Sequence, residues 1–166
     1  MANIFYLDAS ALVKKYTNEQ GFQLLNALFT QVPRPEMVCL HLGVLEVFSA
    51  LVRKKNAGHF SKPIFDQAVI DFRNDVIDAV DLNKIAATDV VLQGAFPLIE
   101  KYSINATDGV ILASALEIDK QLHLISNQLV LVSSDQRLLK AAQAEALLTF
   151  DPETQSQADL DGLLAP

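Results

Sequence analysis

Three short apolar runs, IFYL at residues 4–7, MVCL at 37–40 and LVLV at 129–132, each pass within a few residues into an amphipathic helical pattern. A strand that is apolar on both faces must be covered on both faces. Strand–helix repetition does this by laying strands parallel and helices outside them. The chain is therefore expected to be α/β with a central parallel sheet. No repeat, low-complexity tract or linker interrupts it, and 166 residues suit one domain. A chain of this length buries roughly 70% of its extended surface, enough to fold without a disulfide or structural metal.

The further expected elements are a helix through ALVKKY capped by Ser10, a helix over 20–29 stopped by Pro33 and Pro35, and a long helix over 42–56 ended by Gly58. Pro63 stands at a good first helical position for a helix reaching Asn74. Residues 76–82 read as a strand and 83–102 as a helix broken or kinked at Pro97. A helix over 107–119, a helix through RLLKAAQAEA and a strand at 148–150 follow. The run LHLIS at 122–126 suits either a helix end or a strand. The tail after Asp151-Pro152 is polar and is expected to be loose until DLDGLL.

Charge and cysteine usage narrow the function. A formal net charge of −7 argues against broad adhesion to nucleic acid or an anionic membrane, though not against a local basic strip. The single cysteine, Cys39, reads as a buried small hydrophobe. MANIFYLDAS lacks the basic and long apolar regions of a secretion signal. No run approaches the roughly 20 apolar residues a bilayer span needs. A cytoplasmic protein with no membrane contact is expected. His41, His59 and His123 lack metal-ligand spacing, and there is no Gly-rich phosphate loop or nucleophile elbow.

The chemistry-bearing residues are acids. Open parallel α/β sheets place their ligand crevice at the carboxyl ends of the strands. Asp8 and Asp135 sit where a strand run gives way to a helix. Asp108 lies in the first turn of a helix, and Glu46 one turn into the helix after the second strand. Each has an ordinary local role available, as helix cap, dipole partner or solvated acid. Ser10, Asn105, Thr107, Ser133 and Ser134 are alternative caps that leave the acids over for chemistry. Glu46 shares a narrow face with Gly43, Ala50 and Arg53 on a mostly apolar helix expected to be buried. Carboxylates gathered in one place repel one another unless they bind protons or cations. A set without His or Cys suits a hard cation, Mg²⁺ or Mn²⁺.

The segments YLDASALVKKY, LEVFSALVRKK, ATDGVILASALE and VSSDQRLLKAA resemble the four motifs of PIN-domain proteins, and of the VapC-type toxins among them. The resemblance runs from about residue 3 to residue 152. It implies a PIN-like three-layer α/β/α domain over 1–152, with 153–166 as a tail in the same domain or loosely attached. It implies a ribonuclease with Asp8, Glu46, Asp108 and Asp135 as catalytic and metal-binding residues, Mg²⁺ or Mn²⁺ as cofactor, and Ser10 and Ser133 as hydroxyls orienting Asp8 and Asp135. It also implies an RNA substrate, a small antitoxin partner and a homodimer. The stretch between Asp108 and Asp135 is long for the compact members of the family. Lys14, Lys15, Arg53, Arg137 and Lys140 follow the acids closely, and Arg53, Lys14 and Arg137 are the expected RNA contacts.

Two readings stand at this point: a metal-dependent endoribonuclease, as the toxin of a toxin–antitoxin pair, and a catalytically silent PIN-like module that holds RNA or protein. An aspartyl phosphatase would need a second Asp where Ser10 stands, and a phospho-receiver would need paired acids at the first strand.

Overall fold

The computed structural model describes residues 3–165. Met1, Ala2 and Pro166, which the expected domain and tail bounds include, lie outside the described residues. Five strands form one parallel sheet: β1 (Asn3–Leu7), β2 (Met37–Leu40), β3 (Asn83–Ile85), β4 (Gln128–Val132) and β5 (Leu148–Phe150). Their spatial order is β3-β2-β1-β4-β5. β1 is central, pairing Tyr6 with Val38 on one side and Leu7 with Val132 on the other. From β1 the chain runs to β2 and β3 at one edge, and from β4 to β5 at the other, so a crevice opens at the carboxyl ends of β1 and β4.

Alternation along the strands divides the core. Phe5, Leu7, Met37, Cys39, Val130 and Val132 face one helical layer: α1 (Ala9–Thr17), α2 (Phe22–Gln31), α3 (His41–Asn56), α4 (Lys62–Phe72) and α8 (Gln157–Leu164). Tyr6, Val38, Leu40, Leu129 and Leu131 face the other: α5 (Asp89–Tyr102), α6 (Ala106–His123) and α7 (Gln136–Ala144). The chain thus has a PIN-like three-layer α/β/α fold. Cys39 is buried, and burial pushes its thiol up to about 11. Among the described residues no helix is long and apolar enough to cross a membrane.

Several local expectations are corrected. Residues 76–82 are not a strand. The chain leaves α4 through a π-helical turn, Arg73–Ile77, that buries Val76 and leaves Val80 fully exposed. Lys84 Nζ donates to the carbonyls of Val76 (2.8 Å), Ile77 (3.3 Å) and Ala79 (2.6 Å), closing this helical end as a cation at a helix C-terminus does. The strand comes only after it. Asn83 Nδ2 donates to the carbonyl of Pro35 (2.8 Å) and pins β3 to the edge of β2.

The following helix accordingly starts at Asp89 on a Thr88 cap, and it runs through Pro97 without ending there. Residues 122–126 finish α6 and turn; Ser126 takes a left-handed φ of 59°. The end of the chain is capped by Ser156 and Asp159, and Leu160 of α8 is fully buried in the core. The apolar helix α3 is buried only along Gly43, Val47 and Leu51. Leu42, Leu45 and Phe48 lie open to solvent, because α1 and α4 cover one face of this helix and nothing among the described residues covers the other.

Candidate acidic active site

β1 ends on Leu7, and Asp8 takes the N-cap of α1, its side chain accepting from Ser10 N at 3.3 Å. Ser10 is therefore not the cap. The expected division of labour is reversed: the acid caps the helix and the hydroxyl serves the acid. Ser10 Oγ (2.5 Å) and Ser133 Oγ (2.8 Å) both donate to Asp8 Oδ2. With their single protons spent there, the two hydroxyls act as acceptors toward the β4–α7 loop. Ser134 N donates to Ser10 Oγ at 3.0 Å, and Asp135 N donates to Ser133 Oγ at 3.1 Å. Two parallel relays thus join the loop carrying Asp135 to the carboxylate of Asp8. Asp8 N donates to the Val132 carbonyl at 2.9 Å, which continues the β1–β4 ladder to this point.

Asp135 also caps the helix it opens. Its Oδ1 accepts from Arg137 N at 2.8 Å and Leu138 N at 3.1 Å, so neither Ser133 nor Ser134 is needed as cap. Asp108 stands in the first turn of α6, whose cap is Asn105; Asn105 Oδ1 accepts from Asp108 N (2.9 Å), and Asn105 Nδ2 donates to Asp108 Oδ2 (2.7 Å). Glu46 lies in the second turn of α3, with Ala50 and Arg53 one and two turns on along the same face.

All four acids line one open cavity of about 290 Å³, together with Ala9, Ser10, Val13, Ala50 and Arg53. Burial raises the Asp8 carboxyl, against the hydrogen bonds of Ser10 and Ser133. Burial and the neighbouring Asp8 raise Glu46, opposed by a hydrogen bond from Thr107 and by the Arg53 guanidinium. Burial and the charges of Asp135, Asp8 and Glu46 push Asp108 up to about 6. These directions are those of carboxylates crowded in a partly dry site.

The donor chemistry fits a hard divalent cation, since oxygen is the only ligand type offered. The arrangement is wider than a closed ligand shell: among the described residues, no three His, Cys, Asp or Glu side chains stand together closely enough to hold an ion.

The expected RNA contacts separate. Arg53 lines the cavity, and Arg137 is exposed at the start of α7. Lys14 is 6% exposed and its ammonium is paired with Glu153, so it is committed to the interior. Lys15 faces away from the cavity, pairing with Asp75 at 3.1 Å.

Asp151, 5% exposed, went unmarked in the sequence. Like Asp8, it directly follows a strand, LTF, but a turn and not a helix comes next, so the strand-to-helix criterion passes it over. Thr107, which restrains Glu46, carried no comparable signal, because its partner is 61 positions away by number.

No family model matches the chain, and no curated protein matches it in sequence. Its structure is similar to that of PAE2754 from Pyrobaculum aerophilum (19% identity, 93% of this chain and 94% of that one, TM-score 0.59). It is similar to FitAcB from Neisseria gonorrhoeae (15% identity, 92% and 100%, TM-score 0.60). It is also similar to a chain of a toxin–antitoxin complex from Klebsiella pneumoniae (16% identity, 89% and 96%, TM-score 0.55). At these identities the likeness is one of fold.

Proposed function

We propose that the protein is a metal-dependent endoribonuclease, the toxin of a toxin–antitoxin pair. The observation that carries the reading is the convergence of Asp8, Glu46, Asp108 and Asp135, from four separate elements, on one cavity. A scaffold has no use for an acidic cluster whose charges raise the Glu46 and Asp108 carboxyls. A nuclease has, because phosphodiester hydrolysis needs an oxygen cage for cations. Mg²⁺ or Mn²⁺ bound among these acids would supply charge stabilisation and an acidified water for in-line attack on phosphorus.

The chain's own residues have separate tasks. Asp8, held on its Ser10 and Ser133 donors, presents a carboxylate in fixed orientation. Asp135 keeps one oxygen on the helix it caps. Arg53 places a guanidinium at the wall of the cavity, where a phosphate of the RNA strand approaches an otherwise acidic surface. The structural likeness to a member of a toxin–antitoxin complex supports an antitoxin partner. The open apolar faces at Leu45 and Phe48 of α3, and Phe96 of α5, support a homodimer.

The second reading, a silent module that binds RNA or protein, is favoured by one observation, the spacing of the acids beyond a closed ligand shell. One experiment separates the two. The purified protein is incubated with a structured-RNA pool and Mg²⁺ or Mn²⁺, with EDTA and Asp8→Asn as controls. Cleavage lost in both controls, with 5′-phosphate products, supports the nuclease. A 2′,3′-cyclic phosphate product overturns the hydrolytic scheme. Absence of both cleavage and Mn²⁺ binding favours the module.

A further inference from the structure

We infer that Asp151 is a positioning residue that aims Asp135 into the cavity by holding the residues on either side of it; this rests on the four-acid cavity being the active site. Asp151 follows β5 and does not line the cavity. Its buried carboxylate nevertheless collects four donors. Oδ1 accepts from Ser134 Oγ (3.1 Å) and Glu153 N (2.9 Å), and Oδ2 accepts from Gln136 Nε2 (2.8 Å) and Thr154 Oγ1 (3.0 Å). Two of these bonds therefore land on positions 134 and 136, one on each side of Asp135. The other two, with Asp151 N donating to Gln155 Oε1 at 2.7 Å, wind residues 151–155 into a rigid turn around the same carboxylate.

That turn is anchored on its far side as well. Glu153 receives the Lys14 ammonium, Gln20 Nε2 donates to the Glu153 carbonyl at 2.7 Å, and the backbone of Pro152 abuts Gly21 so closely that a Cβ there would meet its carbonyl oxygen at 2.4 Å. Asp151 thus stands between a fixed support and the loop it holds. Ser134 is gripped from both directions: its hydroxyl by Asp151, and its N–H by Ser10, which serves Asp8. Partners one shell out commonly control how well a carboxylate binds its ion. Here the supporting group is itself an acid, so the substitution that tests it must restore both a donor–acceptor match and the charge count.

Asp151→Asn replaces one acceptor oxygen by an NH₂ group and removes the charge on which the four donors converge. Asp151→Asn with Gln136→Glu gives that NH₂ group a carboxylate to donate to and returns the lost charge. Ser134→Ala and Gln136→Ala each remove one tether from a half-buried or exposed position without altering charge, and they serve where Asp151→Asn folds poorly. Two readouts are taken on the full chain: amide exchange at Arg137 and Leu138, whose N–H groups donate to Asp135 Oδ1, and binding of Mn²⁺ alone by calorimetry.

The expected result is faster exchange at both amides and Mn²⁺ affinity lowered about 10-fold in Asp151→Asn, smaller changes in the same direction in the two alanine variants, and recovery in the double variant. Unchanged exchange at Arg137 and Leu138 in Asp151→Asn overturns the proposal, as does a double variant no better than the single one. If the wild type and Asp8→Asn both bind no Mn²⁺, the nuclease reading fails, while exchange at the two amides still decides the role of Asp151.

Discussion

On one wall of the cavity, Asp8 directly follows β1, Asp135 stands three residues past the end of the adjacent β4, and the two are strapped together through Ser10 and Ser133. The second wall is made by Glu46 and Asp108, which ride inside helices from different layers, held by Thr107 and Asn105. The first wall is an extension of the sheet: its geometry follows from the β1–β4 ladder, and its acids do structural duty as helix caps. The second wall is only as well placed as the packing of α3 and α6 makes it. A site built this way has one rigid side and one that depends on distant contacts.

The sharpest break in that comparison is between Asp8 and Glu46. Asp8→Ala is expected to lose about 2–3 kcal/mol of stability, through the lost cap and the stranded hydroxyl and N–H donors. Glu46→Gln is expected to stay within about 0.5 kcal/mol, because the amide oxygen can still accept from Thr107 and no helix cap is lost. Denaturant unfolding of both variants checks this. An equal loss in Glu46→Gln would show the two walls to be equally strapped.

The next effect is electrostatic and belongs to Asp108. A carboxyl raised from 3.8 to about 6 in the folded state holds its proton more tightly there than in the unfolded chain. Its contribution is fully present below about pH 4 and is lost as pH rises through 6. The metal-free protein should therefore lose about 2 kcal/mol from this group between those limits. Asp108→Asn should flatten that part of the stability–pH curve, measured by thermal or urea unfolding. An unchanged curve would place the repulsion elsewhere.

A smaller effect tests the packing dependence of the second wall. A Cβ on Gly109 would stand 2.4 Å from Ile99 Cγ1, so Gly109→Ala forces α5 and α6 apart beside Asp108. The expected loss is about 1–2 kcal/mol, with Mn²⁺ binding weakened while amide protection at Arg137 and Leu138 stays intact. Loss of protection on the first wall would show the two sides to be coupled.

The smallest effects divide the basic residues. Lys14→Ala should cost about 1 kcal/mol of stability through lost packing and pairing, with little change in RNA affinity. Arg53→Ala should leave stability unchanged and weaken RNA binding several-fold, read by filter binding under non-cleaving conditions in EDTA. Equal RNA affinity in the wild type and Arg53→Ala would remove Arg53 from the interface.

Legibility followed the same division. Asp8 and Asp135 stood out because a strand-to-helix junction is a local event, written within a few residues of each acid. Even there, sequence alone assigned the cap to Ser10. A short hydroxyl and a carboxylate are both good caps, and only the Ser133 and Ser134 partners, more than 120 positions on, decide which of the two is diverted. The mostly apolar helix α3 was expected to be buried, yet its Leu45 and Phe48 are exposed, since periodicity reports that a face is apolar but not what covers it. Residues 76–82 looked like a strand because Val76, Val80 and Leu82 alternate loosely. The ammonium of Lys84, gathering three carbonyls, instead extends the helical end and delays β3.

Sequence by itself determined the α/β class, the central strands, and the residue types that could gather into an acidic site, because strand burial, helix period and capping are short-range. Tertiary structure alone decided that four acids from four elements share one cavity, that Lys14 is spent on Glu153, and that Asp151 holds both neighbours of Asp135. Those outcomes depend on which helix packs where around the sheet, and that is settled by contacts between residues tens to hundreds of positions apart, which no local pattern encodes.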